Sequence, residues 1–107
     1  MRHTTTLRIV PDYNFPFSKM VVSPLDGADL NLISACYTLK LFVNVSLETF
    51  SADVGNGFQI QLYLEHRCKQ GTLEMSRAFW EKLGKPREAA ILVDDAGQKA
   101  LLLTRKG

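Results

Sequence analysis

The chain is predicted to adopt a mainly β fold of the α+β class, an antiparallel sheet or small barrel with one short helix. Two alternating apolar runs and the turn signal between them carry that expectation. From Ile33 to Glu48 every odd position is apolar (Ile33, Ala35, Tyr37, Leu39, Leu41, Val43, Val45 and Leu47) and the even ones are mostly polar, with Phe42 the exception. Such alternation describes a strand with one face on a core and the other in water. The second run sets Phe58, Ile60, Leu62 and Leu64 against Gln59, Gln61, Tyr63 and Glu65. Asn56-Gly57 between them is a strong signal for a two-residue hairpin turn. That turn brings the two apolar faces together, which predicts a long hairpin of about 33–48 with 58–68. A strand of that first length would extend roughly 50 Å, so a bend or break is expected, with Phe42 as its candidate place.

The remaining elements follow in chain order. Thr4–Val10 reads as a first strand, Pro11 to Pro16 as a loop, and Met20–Val22 as a short edge strand. Ser23-Pro24-Leu25-Asp26-Gly27 reads as a break. After the long hairpin and Gly71 comes a short strand, Thr72–Met75, and then Ser76 caps a two-turn helix over about 77–83. Gly84 and Pro86 end that helix. Ala89–Val93 and Ala100–Leu103 flank Asp94 to Gln98 as a closing hairpin whose continuous apolar runs predict burial on both faces. No internal repeat stands out.

A chain of 107 residues with 46% apolar and 22% charged residues is expected to form a single domain over 1–107. No stretch is long and apolar enough for a membrane span, and the start of the chain has no apolar leader core. A cytoplasmic location is the expectation, and Cys36 and Cys68 are then expected as reduced thiols. The net charge of +2 is unevenly spread. Residues 65–107 hold nine Lys or Arg against six Asp or Glu, and residues 1–64 hold four against five.

Searching for chemistry gives mostly exclusions. His66 and Cys68, two apart on an expected strand, could supply two zinc ligands, but structural zinc takes four and nothing supplies the others. Cys36 is expected on the opposite face. A Cys–His nucleophile would need contact between the two side chains and a group to orient the base. Asp94 and Asp95 are adjacent and would point apart on a strand, so a turn role is expected for them. The chain has no phosphate-binding glycine loop, and the Asp53–Gly57 segment lacks the ligand pattern of a calcium loop. The expectation is therefore a non-enzymatic protein without cofactor, metal or catalytic residues. Two other features stand out. Phe79 and Trp80 are neighbours on a helix, so one of them is a candidate for an interface. Arg67, Lys69, Arg77, Lys82, Lys85 and Arg87 form a basic cluster that could contact phosphates, although Glu65, Glu74, Glu81 and Glu88 interleave with it.

Residues Leu64 to Thr104 run strand, Gly71, short strand, helix ending in Leu83-Gly84, then the hairpin of Ile91-Leu92-Val93-Asp94-Asp95 and Lys99-Ala100-Leu101-Leu102-Leu103. This order resembles the AbrB/SpoVT-type swapped-hairpin module over about two-fifths of the chain. The resemblance implies a dimer of interleaved hairpins that binds DNA through basic residues. Ser76 stands where that family usually has proline, Arg87-Glu88 where Gly-Asp is typical, and Trp80 and Glu81 at helix positions often basic in its DNA-binding members. These departures weaken the implied DNA binding more than the implied fold.

Three functions are consistent with these readings. The first is a small interaction module that binds itself, as a homo-oligomer, or another protein. The second is a dimeric DNA-binding regulator or antitoxin-like protein using the basic C-terminal segment. The third is a small-molecule-binding β-barrel, since a barrel can hold a ligand without leaving a motif.

Overall fold

The computed structural model describes residues 1–53 and 57–106. Its strands are β1 (Arg2–His3), β2 (Leu7–Asp12), β3 (Lys19–Val22), β4 (Cys36–Val43), β5 (Phe58–Leu64), β6 (Thr72–Ser76), β7 (Glu88–Val93) and β8 (Lys99–Arg105). Three short helices lie among them: α1 (Pro24–Asp29), α2 (Leu47–Ser51) and α3 (Arg77–Lys82). The ladder runs β7-β2-β6-β3-β5-β4-β8 and closes because β8 also pairs with β7, leaving β1 as an extra strand on β7. The mainly β barrel expected from the sequence is therefore present. Its strands are mixed in direction, with β2–β6, β3–β5 and β4–β8 parallel and the other barrel pairings antiparallel.

The pairing registers reveal a repeat. One constant step along the chain carries Arg8 to Gln61, Lys19 to Thr72 and Ser23 to Ser76. Under that step the β2–β6 pair Arg8↔Thr72 becomes the β5–β3 pair Gln61↔Lys19. The β2–β7 pairs Leu7↔Ala89 and Arg8↔Glu88 have counterparts in Ile60↔Leu39 and Gln61↔Thr38 between β5 and β4, with the outer strand offset by three residues from that step. Val21 and Glu74, related by the same step, pair with each other, so a pseudo-twofold axis passes between β3 and β6. Each half is a strand–strand–helix–strand unit, and β8 is inserted where β4 and β7 would otherwise meet. The repeat escapes sequence inspection because it preserves character rather than identity, as in Leu7 and Ile60, Ile9 and Leu62, or Val22 and Met75.

The helix caps repeat as well. Ser23 Oγ accepts the Asp26 N–H at 3.1 Å, and Ser76 Oγ accepts the Phe79 N–H at 3.0 Å. Both helices end in the left-handed region, at Asn31 (φ 60°) and Gly84 (φ 87°). The sequence expectation of a break at Ser23–Gly27 is thus corrected. Pro24 occupies the first turn of α1, where its missing N–H has no helical partner to lose. Met20–Val22 is no edge strand either, because β3 lies between β5 and β6 and all three residues are buried.

The long hairpin also differs from expectation. Leu41 pairs with Phe58 and Cys36 with Tyr63, so odd positions still face even ones and the apolar faces coincide. However, the paired strands stop at Val43 and Leu64, and α2 fills the connection. The expected turn at Asn56-Gly57 lies partly outside the described residues. Phe42 breaks the alternation because α2 covers the outer face of β4 there. Phe42, Phe50 and Leu101 form a small second core, with the two phenyl rings 5.6 Å apart at 83°. The same arrangement explains why Ala100, Leu101 and Leu102 are all buried, whereas Ile33, beyond the start of β4, is 90% exposed. The main core fills the barrel interior with Leu7, Leu39, Leu41, Ile60, Leu62, Leu73, Met75 and Ile91 among others.

At the α1 end a buried carboxylate fastens the structure. Asp26 is 2% exposed, and its Oδ2 accepts the Gly71 N–H at 2.8 Å and the Ser23 hydroxyl at 3.1 Å. This ties the loop before β6 to α1. Replacing Asp26 by Ala leaves both donors without that acceptor and should lower the unfolding free energy by about 2–3 kcal/mol in urea titrations. Asp29→Ala, on the exposed side of the same helix, should change it by less than about 0.5 kcal/mol. Equal effects of the two substitutions would remove the fastening role.

Candidate functional site

Strand direction sorts the connections into two groups. The β2–β3 loop, α2, α3 and the start of β7 gather at one end of the barrel. The β5–β6 loop, α1 and the β7–β8 turn gather at the other. A cleft of about 770 Å³ opens at the α3 end, lined by Phe17, Phe42, Val43, Val45, Phe58, Phe79, Lys82 and Leu83. Phe58 begins β5, Phe79 projects from the capped first turn of α3, and Phe17 comes from the loop before β3. The hydroxyl of Ser76 donates to Phe17 O at 3.3 Å and holds that loop against the start of α3.

The three rings pack on one another. Phe79 meets Phe17 at 5.2 Å and Phe58 at 5.3 Å, both edge to face, and Phe17 and Phe58 are 6.3 Å apart. Edge-to-face geometry sets positive ring edges against negative ring faces, so the cluster is held in one arrangement. Among the described residues of the lining Lys82 is the one that carries a charge, with its ammonium 5.8 Å from the Phe17 ring centre. The site is therefore an apolar floor with a single cation at its mouth.

The pseudo-twofold shows how particular this arrangement is. The step that relates the halves takes Phe79 to Asp26, Phe17 to Gln70 and Phe58 to Thr5. One end of the barrel is thus closed by a polar fastening and the other is lined with aromatic rings. The repeated backbone therefore accommodates polar residues at one end and aromatic rings at the other.

The structure divides the basic cluster predicted from the sequence. Arg67 and Lys69 lie on the β5–β6 loop, at the α1 end, and Arg67 Nε donates to Glu65 at 2.6 Å. Arg77, Lys82, Lys85 and Arg87 lie at the α3 end. Of the two interface candidates, Phe79 is 2% exposed and belongs to the core, while Trp80 is half-buried and donates its Nε1–H to Pro86 O at 2.8 Å. Phe17 lies just beyond the loop expected over Pro11 to Pro16 and carried no expectation of its own. The spacing of Tyr13, Phe15 and Phe17 was the available signal, since three aromatic residues in one surface connection are more than a turn needs.

His66 and Cys68 do not share a strand face, because β5 ends at Leu64 and the chain turns through 66–68, with Cys68 N–H donating to Glu65 O at 3.0 Å. His66 is exposed and Cys68 buried. Among the described residues no three His, Cys, Asp or Glu side chains gather to hold a metal ion. Asp94 has the turn role expected of it, its Oδ1 accepting the N–H groups of Gln98 at 2.9 Å and Lys99 at 3.1 Å. No helix among the described residues is long and apolar enough to cross a membrane.

Both cysteines are free, Cys36 exposed at the start of β4 and Cys68 enclosed. Burial, with the nearby Glu74 carboxylate, pushes the Cys68 thiol up to about 12. A disulfide-exchange reagent at pH 8 should therefore modify Cys36 rapidly and Cys68 only after unfolding. The unfolded thiol ionises near its ordinary value of 9.0 and the folded one only near 12. Cys68 should accordingly contribute its full stability below pH 9 and lose it as the pH rises toward 12. Cys68→Ala should flatten that part of the stability profile, and an unchanged alkaline slope would contradict the assignment.

Compared with known proteins, the chain matches no family model, no curated protein sequence and no solved structure.

Proposed function

We propose that the protein is a small non-enzymatic binding module that takes an apolar molecule bearing one acidic group into the aromatic cleft at the α3 end. The observation that carries this reading is the cleft itself. Its volume of about 770 Å³ falls within the range of roughly 300–1,000 Å³ typical of small-molecule sites. Apolar walls with few polar groups are the usual composition of such sites, the walls giving affinity and the polar group orientation. Here the polar group is Lys82, whose ammonium suits a carboxylate or sulfonate at the mouth while the apolar body lies among Phe17, Phe58 and Val43. The polar residues at the equivalent positions of the other end, Asp26, Gln70 and Thr5, show by contrast what gives this end its apolar lining. Among the three functions consistent with the sequence, this is the small-molecule-binding barrel. The protein-contact reading loses part of its basis because Phe79 is enclosed in the core.

Dodecanoate and 1-anilinonaphthalene-8-sulfonate are suitable probes. Titration calorimetry should give saturable binding of dodecanoate at one site, and dodecanoate should displace the dye. Lys82→Glu should weaken dodecanoate about five- to tenfold, since a partly exposed ion pair is worth up to about 1 kcal/mol and reversal adds repulsion. Val43→Trp should fill the cleft and abolish dye binding while leaving the cooperative thermal transition in place. Dye and dodecanoate binding indifferent to both substitutions would defeat the proposal.

A further inference from the structure

We infer that the outer surface of the α3 end is a binding platform for single-stranded nucleic acid, built on the Tyr13–Arg77–Trp80 stack and the cations beside it. This surface is separate from the cleft and does not depend on it. The Arg77 guanidinium carbon lies 4.5 Å from the centre of the Tyr13 ring and 5.4 Å from that of Trp80. Lys85 Nζ lies 6.0 Å from the Trp80 ring. The Trp80 ring is fixed by its bond to Pro86 O, and Arg77 lies 3.8 Å from Glu81. The stack is therefore assembled before any ligand arrives. Tyr13 is nevertheless 79% exposed, so much of its ring remains open to solvent although Arg77 lies against it.

Cations outnumber carboxylates beside the stack, where Glu81 lies against Arg77 and Glu88 pairs with Arg105 in the β7–β8 ladder. Arg87 N–H donates to Arg105 O at 3.1 Å, which sets those two residues side by side, and the Lys106 ammonium lies beside Gly84. Lys85, Arg87, Arg105 and Lys106 are thus brought together from two chain segments, and among the described residues none of the four forms an ion pair. Clustered cations that are not held in ion pairs repel one another and attract a polyanion. Phosphates along a strand meet the cations, and unpaired bases meet the aromatic face. A duplex buries the faces of its bases in its own stack, so an aromatic platform selects single strands. Arg67 and Lys69, at the other barrel end, lie outside this surface.

Trp80 is the only tryptophan in the chain, so its emission reports on this surface directly. Twelve-residue oligothymidylate should quench Trp80 and raise the anisotropy of a labelled strand. Single strands release counterions with a slope of roughly 0.7 per phosphate contact, so three contacts predict about a twentyfold loss of affinity between 50 and 200 mM salt. Tyr13→Ala should weaken binding about fivefold or more. Lys85→Glu with Arg87→Glu should abolish it, Arg67→Glu with Lys69→Glu and the cleft-filling Val43→Trp should leave it intact, and a duplex of equal length should bind more weakly. Tyr13 is exposed, so its loss does not threaten folding, and thermal melts verify the charge variants. The inference is overturned if the oligonucleotide changes neither signal at 50 mM salt. It is also overturned if Tyr13→Ala binds as the parent does, or if the Arg67 and Lys69 variants weaken binding as much as the Lys85 and Arg87 variants.

Discussion

A β-sheet leaves a row of unsatisfied N–H and C=O groups along each edge, and those groups must be paired, covered or left in water. In this protein β8 resolves the constraint by bonding to β4 on one side and to β7 on the other. Everything else in the architecture depends on that double pairing. Without β8 the ladder would end at β4 and β7, and the interior residues Leu39, Leu41 and Ile91 would lose the wall that encloses them. With it, side chains that alternate inward along every strand meet in one closed interior. The helices and irregular connections collect at the two ends. Both proposed binding surfaces lie at one of them, where the cleft and the aromatic stack occupy different faces of the structure around α3.

The pseudo-twofold places two equivalent ends on one scaffold and lets their chemistry be compared directly. Each end has a serine-capped helix after a central strand and a left-handed residue after the helix. At the α1 end the residue three beyond the capping serine is Asp26, which is satisfied by hydrogen bonds from Ser23 and Gly71. At the α3 end it is Phe79, which supports an aromatic cleft. A buried carboxylate requires well-placed donors, and a buried ring requires complementary packing. The same backbone supplies either. What distinguishes the ends is side-chain chemistry, and the binding proposal rests on that difference. Leu64 to Thr104 contains most of the second half. In this chain its strands β6 and β7 pair with β2 and β3 of the first half within one polypeptide.

Local signals in the sequence were accurate where local physics decided the outcome. The Ser76 cap, the helix that follows it and its end at Gly84 were legible because capping depends on residues within one turn. The closing hairpin was legible because its strands are joined by a short turn that Asp94 stabilises. The opposition of odd and even positions between β4 and β5 was legible, since one buried face permits only registers that keep the apolar sets together. The actual register was not, because α2 lengthens the connection and such shifts conserve the faces. α1 was hidden because Pro24 and Gly27 read as breakers, although proline is well suited to a helix's first turn. The parallel pairings left no local trace, since each joins strands that are distant in sequence.

The binding surfaces were less legible than the fold. The basic residues formed one run in the sequence but occupy two ends of the barrel, because β6 crosses the barrel between Lys69 and Arg77. Phe17, Phe58 and Phe79 are far apart in the chain and meet only through the closed ladder, and Arg87 and Arg105 meet only through the pairing of β7 with β8. By itself the sequence determined the β-rich character, the caps of α3 and which strand faces turn inward, because periodicity and capping act over a few residues. Barrel closure, the internal twofold and the gathering of rings and cations at one end were decided by tertiary structure. Those features arise from pairings between distant strands, and no short stretch of sequence contains both partners.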